Sequence, residues 1–145
     1  MDRAALDAAI ASNIEIGGYV PRGRRAEDGR IPQKYTGLVE TNSEDYAERT
    51  RLNVVNSDAT LVLIRGKLAG GSKLTADTAI RYQKPLLHLD LSPLRLKEIT
   101  PPLNEWLEEF QPGILNIAGP RASEDPEIYD LAYELLSKML KKRRG

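Results

Sequence analysis

The chain of 145 residues contains no cysteine, which excludes disulfide bonds, thiolate metal sites and a cysteine nucleophile. It has a single histidine, His88, and no cluster of residues at the spacing of a metal motif, so we expect no protein-bound metal. No apolar run approaches the roughly 20 residues of a membrane span, and no signal peptide is visible at the start. We therefore expect a cytoplasmic protein that does not bind a membrane.

Neither sign of charge is in excess, because the 21 basic and 21 acidic residues cancel to a formal net charge of zero. This balance gives no indication of nucleic-acid binding. The chain is 41% hydrophobic and 29% charged, proportions that are ordinary for a globular protein. Without repeats or low-complexity linkers, these features predict a single domain over residues 1–145.

The most informative stretch runs from residue 57 to residue 83 and reads as strand, glycine-rich turn and helix. Residues 60–64 form a continuous apolar run, which is typical of a parallel strand buried on both faces. Gly70 and Gly71 allow close approach of the backbone to a ligand, and Ser72 is predicted to cap a helix that ends near residue 83. Free N–H groups at a helix start favour an anion, although glycine pairs also form simple tight turns.

Strands and helices alternate along the rest of the chain, which predicts an α/β fold with a mostly parallel, doubly wound sheet and helices on both faces. Residues 19–33 are predicted to form a long loop, and residues 92–100 fit either a loop or a helical turn. Further strands are predicted at residues 14–18, 35–40, 86–90 and 114–118, and helices at residues 2–12, 41–56, 103–110 and 125–142.

Glycine and arginine occur together after three of the predicted strands. In a doubly wound sheet, ligands bind beyond the carboxyl ends of the strands. An arginine guanidinium can donate two parallel hydrogen bonds to a phosphate. We therefore expect one rim to gather these groups into a pocket for a negatively charged small molecule. The groups are Gly17 and Gly18 with Arg22 and Arg24, Arg65 with Gly70 and Gly71, and Gly119 with Arg121.

Strings along nearly the whole chain resemble the molybdenum-cofactor carrier family, which belongs to the Rossmann-like group that includes the lysine decarboxylase-like phosphoribohydrolases. The strings keep the order and spacing of that family. They are residues 2–7 (DRAALD), 17–29 (GGYVPRGRRAEDG), 45–46 with 49–50 and 53–54, 57–61 (SDATL), 70–72 with 74–75, and 116–121 (NIAGPR).

The resemblance implies a binding or carrier protein for a phosphate-bearing small molecule, with the molybdenum cofactor (molybdopterin) as the expected cargo and a homo-oligomer (dimer or tetramer) as the expected assembly. The metal would arrive inside the pterin cofactor, without a bond to the protein. Residues and resemblance together predict these cofactor-binding positions: Gly17, Gly18, Arg24, Arg65, Gly70, Gly71, Ser72, Thr75, Asn116, Gly119 and Arg121.

The start of the chain departs from the family pattern. In family members, the string that begins at Asp2 follows a strand and a loop resembling Ser-Gly-Gly-Gln-Thr-Gly, a cradle for phosphate. Met1 stands where that loop ends. We therefore expect the first strand of the family to be missing, or to lie upstream of Met1.

An enzyme related to the phosphoribohydrolases, acting on nucleoside monophosphates, is the alternative function. Those hydrolases resemble Pro-Gly-Gly-x-Gly-Thr-x-x-Glu at the central turn, where this chain reads AGGSKLTAD over residues 69–77. Asp77 is a weak candidate for the catalytic acid, because its carboxylate is one methylene shorter than glutamate and catalysis is sensitive to about 1 Å. Glu27 is a second candidate acid. The departures favour the carrier.

Several of these side chains also have structural explanations. Arg65 and Arg121 fit either an anion or a neighbouring carboxylate, and Lys73 fits a solvated helix surface. Asn116 needs hydrogen-bond partners within an apolar strand, and both a structural and a ligand-binding role remain open. Arg49 and Asn53 are expected to join a network between elements. For His88, a core or partly exposed imidazole is expected in preference to a catalytic base.

Overall fold

The computed structural model describes Ala4 and residues 7–9, 18–20, 25–26, 29–30, 38–40, 46–92, 96–120 and 125–144. Ala4 and residues 7–9 are helical. The strands are β1 (Gly18–Val20), β2 (Arg25–Ala26), β3 (Gly29–Arg30), β4 (Leu38–Glu40), β5 (Ala59–Ile64), β6 (Leu86–Asp90) and β7 (Leu115–Ala118). The remaining helices are α1 (Tyr46–Val55), α2 (Gly70–Arg81), α3 (Leu96–Phe110) and α4 (Ile128–Arg144).

A three-stranded parallel sheet in the order β6-β5-β7 forms the centre of the molecule. β5 pairs with β6 from Thr60 opposite Leu86 to Ile64 opposite Asp90, and with β7 from Ala59 opposite Leu115 to Val62 opposite Ala118. β1 and β4 pair in parallel as a separate two-stranded sheet. The predicted α/β, Rossmann-like class is confirmed.

Every residue of β5 is buried, as its continuous apolar run predicts, because both faces of the strand are covered. Leu61 and Leu63 belong to a cluster that also contains Leu103 and Trp106 from α3 and Leu135 from α4. Val62 and Ile64, which alternate with them, pack with Ala76 of α2 on the opposite face. The side-chain period of two along a strand thus separates the two cores.

The helices that follow β5 and β7 therefore cover opposite faces of the sheet. α2 packs on the face of Val62 and Ile64, whereas α4 packs on the face of Leu61 and Leu63. Because β5 and β7 are neighbours in the sheet, their connections diverge just beyond the carboxyl ends of the two strands. This divergence is the switch point at which doubly wound sheets open a crevice.

The prediction for residues 19–33 is wrong in part. β1 extends to Val20, and β2 and β3 pair in an antiparallel ladder within the segment predicted to be a loop. Glycine and charged residues obscure the short alternation that marks such strands. The strand predicted at residues 14–18 is observed at Gly18–Val20 in the described part of that region.

α3 extends over the segment that the sequence left ambiguous, and it contains Pro101 and Pro102. Each proline removes a backbone donor from the helix. The helix forms nevertheless, because Ile99, Leu103 and Leu107 lie on one face and are buried in the core. Tertiary packing here outweighs local propensity.

Candidate functional site

A cleft of about 480 Å³ lies at this switch point. Its walls come from the segment between β5 and α2, from Ser92 just after β6, and from described residues between β7 and α4. The lining residues are Ile64, Arg65, Lys67, Ala69, Ser72, Ser92, Pro120, Asp125 and Pro126. Two of the three predicted strand ends therefore meet in one cleft.

The amino end of α2 supplies unpaired backbone donors to this region. The residue before the helix, Ala69, is extended and provides no side-chain cap. The N–H of Lys73 donates to the carbonyl of Ala69 at 3.2 Å, whereas the N–H groups of Gly70, Gly71 and Ser72 have no acceptor among the residues that the structure describes. Such donors at the positive end of a helix dipole form a site for an anion.

The Ser72 hydroxyl is a buried polar group without a partner in the wall of the cleft. Ser72 is only 3% exposed and lines the cleft, and its Oγ has no hydrogen-bond partner within the described part of the chain. Leaving a buried hydroxyl unpaired costs about 1–3 kcal/mol, so buried polar atoms without partners call for an explanation. A ligand oxygen in the cleft would supply the missing partner. The predicted cap is wrong, since α2 begins at Gly70 and Ser72 lies inside its first turn.

Arg65 lies at the carboxyl end of β5 and binds two carboxylates across the cleft. Its Nε and Nη2 atoms donate to Oδ2 and Oδ1 of Asp125 at 2.8 and 2.6 Å. Its Nη1 atom donates to Oε2 of Glu127 at 2.8 Å. The hydrogen bonds to Asp125 are the main cause that raises the pKa of the guanidinium, and the hydrogen bonds from Arg65 lower the pKa of the Asp125 carboxyl. Both groups therefore stay charged.

Asp90, at the carboxyl end of β6, orders the opposite side of the cleft. Its Oδ1 accepts the backbone N–H groups of Gly66 and Ser92, each at 2.9 Å. These bonds, that of Gly66 first, lower the pKa of the carboxyl. Gly66 has a φ of +85°, a left-handed conformation that favours glycine. One carboxylate thus joins the turn after β5 to the turn after β6.

The other predicted site residues differ in their positions. Gly70 and Gly71 form the start of α2, and Gly119 precedes Pro120 in the cleft wall. Thr75 is buried, and its hydroxyl donates to the carbonyl of Gly71 at 2.9 Å. Gly18 lies in β1. Gly17, Arg24 and Arg121 lie outside the described residues, as do Arg22 and Glu27.

Asn116 lies away from the cleft. It stands opposite Thr60 in the pairing of β7 with β5, and its Nδ2 approaches the Thr60 hydroxyl at 3.4 Å. Thr60 is close to the amino end of β5, whereas the cleft begins at Ile64. The observed geometry gives Asn116 a bond between strands, and its ligand-binding role stays a prediction.

Asp77, the candidate acid, is also directed elsewhere. Its carboxylate accepts the ammonium group of Lys73 at 2.8 Å, and both side chains are exposed on α2. Neither residue lines the cleft. The exposed position of Lys73 agrees with the solvated lysine considered from the sequence. His88 is exposed on β6, which excludes the core position and leaves the exposed alternative considered from the sequence.

The cleft also contains residues that the sequence did not single out as binding residues, namely Lys67, Ser92 and Asp125. The sequence indicated Asp125 only as a helix-start residue and an alternative partner of Arg121, and it gave no signal for Glu127. A carboxylate beyond a parallel strand can nevertheless face an arginine beyond the neighbouring strand. Asp90 carried the clearer signal, because it is a polar residue at the carboxyl end of a predicted strand.

Within the described residues, no group of three or more His, Cys, Asp or Glu side chains is arranged to hold a metal ion. In the same part of the chain, no helix is both long enough and apolar enough to cross a bilayer.

Comparison with known proteins gives two findings. The model of the circularly permutated YpsA SLOG family matches residues 1–140. A solved structure named "Putative molybdenum carrier protein", from Syntrophus aciditrophicus SB, is 48% identical, with a TM-score of 0.90 over 93% of this chain and 85% of that one. No curated protein gives a significant match. The two findings confirm the family resemblance drawn from the sequence.

Proposed function

Because the chain belongs to the circularly permutated YpsA SLOG family, we propose that it binds and carries a phosphate-bearing small molecule. The observation that carries this proposal is the buried, unpartnered hydroxyl of Ser72 at the amino end of α2, in the wall of the cleft. A phosphate at that position would accept hydrogen bonds from this hydroxyl and from the free N–H groups of the first turn.

The composition of the cleft fits a ligand with an anionic end and a flat ring system. Lys67 supplies positive charge beside the α2 start and Arg65 supplies guanidinium donors, while Ile64, Pro120 and Pro126 supply apolar surface. A volume of about 480 Å³ lies within the range of about 300–1,000 Å³ that is usual for small-molecule sites. The predicted phosphate-binding role of Arg65, Gly70, Gly71 and Ser72 is part of this proposal.

The cargo that we propose is the molybdenum cofactor, molybdopterin, in keeping with the name of the similar protein from Syntrophus. The chain would hold this cargo through its phosphate, at Ser72 and the α2 start, and through contacts of the ring with the proline-lined wall. The metal belongs to the cargo and requires no ligand from the protein. Transport without chemical change needs only such contacts.

A phosphoribohydrolase activity is not favoured. Asp77, the aspartate that would serve as the acid, forms an exposed ion pair with Lys73 outside the cleft. A general acid must reach its substrate within hydrogen-bond distance. Asp125 does lie in the cleft wall, but both of its carboxylate oxygens accept hydrogen bonds from Arg65.

The proposal is tested by titrating the ¹⁵N-labelled protein with inorganic phosphate and following the amide signals of Gly70, Gly71 and Ser72. We expect saturable shifts at these amides and about tenfold weaker binding in Ser72→Ala, because a hydrogen bond to a charged group contributes about 1.5–3 kcal/mol. Molybdopterin should displace the phosphate in competition.

Ser137→Ala is the matched control, because Ser137 on α4 also carries a buried hydroxyl without a partner among the described residues but does not line the cleft. It should leave the phosphate affinity unchanged. Phosphate-induced shifts that are absent at the α2 start, or equal affinity in Ser72→Ala and the wild type, would refute the proposal.

A further inference from the structure

We propose that Glu127 competes with the bound anion for Arg65, while Asp125 is a positioning residue that holds the same guanidinium at the cleft. The two carboxylates therefore act in opposite directions on the affinity for the anion. This inference rests on the proposed function of the cleft, and it adds which residues set the affinity of the cleft for an anion.

The two carboxylates bind Arg65 in different ways. Asp125 binds it through both oxygens, its side chain is only 11% exposed, and its Oδ1 also accepts the backbone N–H of Glu127 at 3.2 Å. Glu127 binds through one oxygen, and its side chain is 76% exposed. Two-pronged, partly buried pairs are fixed in geometry, whereas exposed single contacts exchange readily with solvent. The bond to Asp125 is the anchor and the bond to Glu127 is exchangeable.

The guanidinium keeps donors for a ligand in this arrangement. Arginine has five N–H donors, and the bonds to Asp125 and Glu127 use three of them. The unused donors lie on Nη1 and Nη2. If Glu127 leaves, both donors of Nη1 become available while Asp125 still holds Nε and Nη2. A phosphate can then replace the glutamate without moving the guanidinium.

The charges lead to the same conclusion. Arg65 with both carboxylates has a net charge of −1, so the group repels an anion as long as Glu127 stays in place. Once Glu127 moves away, Arg65 and Asp125 form a neutral pair beside the positive end of α2 and the ammonium group of Lys67. Glu127 therefore lowers the affinity of the empty cleft for anions, and a ligand must displace it.

The test is a titration of ¹⁵N-labelled full-length protein with inorganic phosphate at low ionic strength. Glu127→Gln should bind phosphate about 2- to 5-fold more tightly, the range expected for loss of one exposed ion pair. The gain should shrink as salt is added, because salt screens exposed charges. Glu134→Gln is the matched control, since it removes the same charge from an exposed position on α4, the helix that begins just after Glu127. It should leave the affinity unchanged.

Asp125→Asn distinguishes positioning from simple charge. If only charge mattered, this variant would also bind phosphate more tightly. We expect binding at least about threefold weaker, because the guanidinium loses the two-pronged contact that holds it in place. In an Arg65→Gln background, Glu127→Gln should change the affinity no more than Glu134→Gln does, since the effect passes through Arg65.

Equal affinity in Glu127→Gln and Glu134→Gln would overturn the competition, and tighter binding in Asp125→Asn would overturn the positioning role. Both results leave the proposed function intact as long as the wild-type α2 amides respond to phosphate. Absence of phosphate binding by the wild type and by Glu127→Gln would overturn the proposed function and this inference together.

Discussion

Two hydroxyl groups on the first turns of α2 have opposite surroundings. Thr75 donates to the carbonyl of Gly71, which is the usual way for a helix to satisfy a buried hydroxyl. Ser72 lies three residues earlier, is equally buried, and has no partner in the described part of the chain. The difference separates a hydroxyl that is satisfied within the helix from one that is available to the proposed ligand.

The stability of the protein should fall in acid through Asp125. Arg65 lowers the pKa of this carboxyl in the folded state, while in the unfolded chain the pKa is about 3.9. The contribution is therefore complete above that value and is lost as the pH falls through the lower, folded pKa. Urea unfolding between pH 6 and pH 2.5 should show a smaller loss of unfolding free energy in Asp125→Asn than in the wild type. An identical pH dependence in the two proteins would contradict this expectation.

Removing the Asp77 carboxylate should have little effect. Asp77 forms an exposed ion pair with Lys73, four residues earlier on the same helix. Such pairs contribute about 0.3–0.5 kcal/mol to stability. Asp77→Ala should bind phosphate as the wild type does and unfold within about 0.5 kcal/mol of it in urea. Release of base from a nucleoside monophosphate that disappears in Asp77→Ala would favour the hydrolase instead.

Single residues were predictable from the sequence where the signal was local. Arg65 follows an apolar strand, and Ser72 follows a glycine pair, so both could be assigned to the rim. The partners of Arg65 could not, because Asp125 and Glu127 lie about 60 residues away along the chain and only the pairing of β5 with β7 brings them close. No local pattern states which of several acids an arginine will meet.

Among the elements, β5 and α2 show how far such signals extend. The apolar residues 61–64 predict that β5 is buried on both faces, and the strand's one hydroxyl residue, Thr60, is buried with them. α2 begins at Gly70, before the predicted start, because Ala69 and not Ser72 occupies the cap position. The first residue of α3 could not be predicted from the sequence, because Pro101 and Pro102 disfavour a helix. The helix forms because its apolar face packs in the core.

Gly71 offers a test of the α2 start. A Cβ built at Gly71 meets nothing within 4 Å, and Gly71 has no left-handed φ. Gly71→Val should therefore unfold within about 1 kcal/mol of the wild type, since the helix propensities of the two residues differ by less than that. Its side chain would obstruct the free N–H groups, and we expect phosphate binding at least about tenfold weaker in the amide titration.

Gly66 provides the contrast. A Cβ there also meets nothing within 4 Å, but its φ of +85° strains any residue with a side chain. Gly66→Ala should lower the unfolding free energy by about 1–2 kcal/mol.

A Gly71→Val protein that binds phosphate normally would show that the ligand does not approach the first turn of α2.

At the scale of the whole molecule, buried residues of the central sheet are expected to contribute more to stability than exposed residues of the helices. Leu61 is fully buried between α3 and α4, so Leu61→Ala should lower the unfolding free energy by about 2–5 kcal/mol. Ile80 is a large apolar residue on the exposed surface of α2. Ile80→Ala should change the unfolding free energy by less than about 1 kcal/mol. Similar losses in the two variants would place Ile80 in an interface, and the expected homo-oligomer would then need to be measured by light scattering.

The divergence of the connections after β5 and β7 has a mechanical consequence. A molecule held between the α2 start and the wall of Pro120 and Pro126 contacts segments that lead into both helical layers. It would therefore add to the link that Arg65 and Asp125 already form between those segments. Loading should make the protein harder to cleave with proteases, by a factor that grows with ligand concentration. A loaded carrier would then differ from an empty one in rigidity, a property that an accepting protein can sense without contacting the cargo.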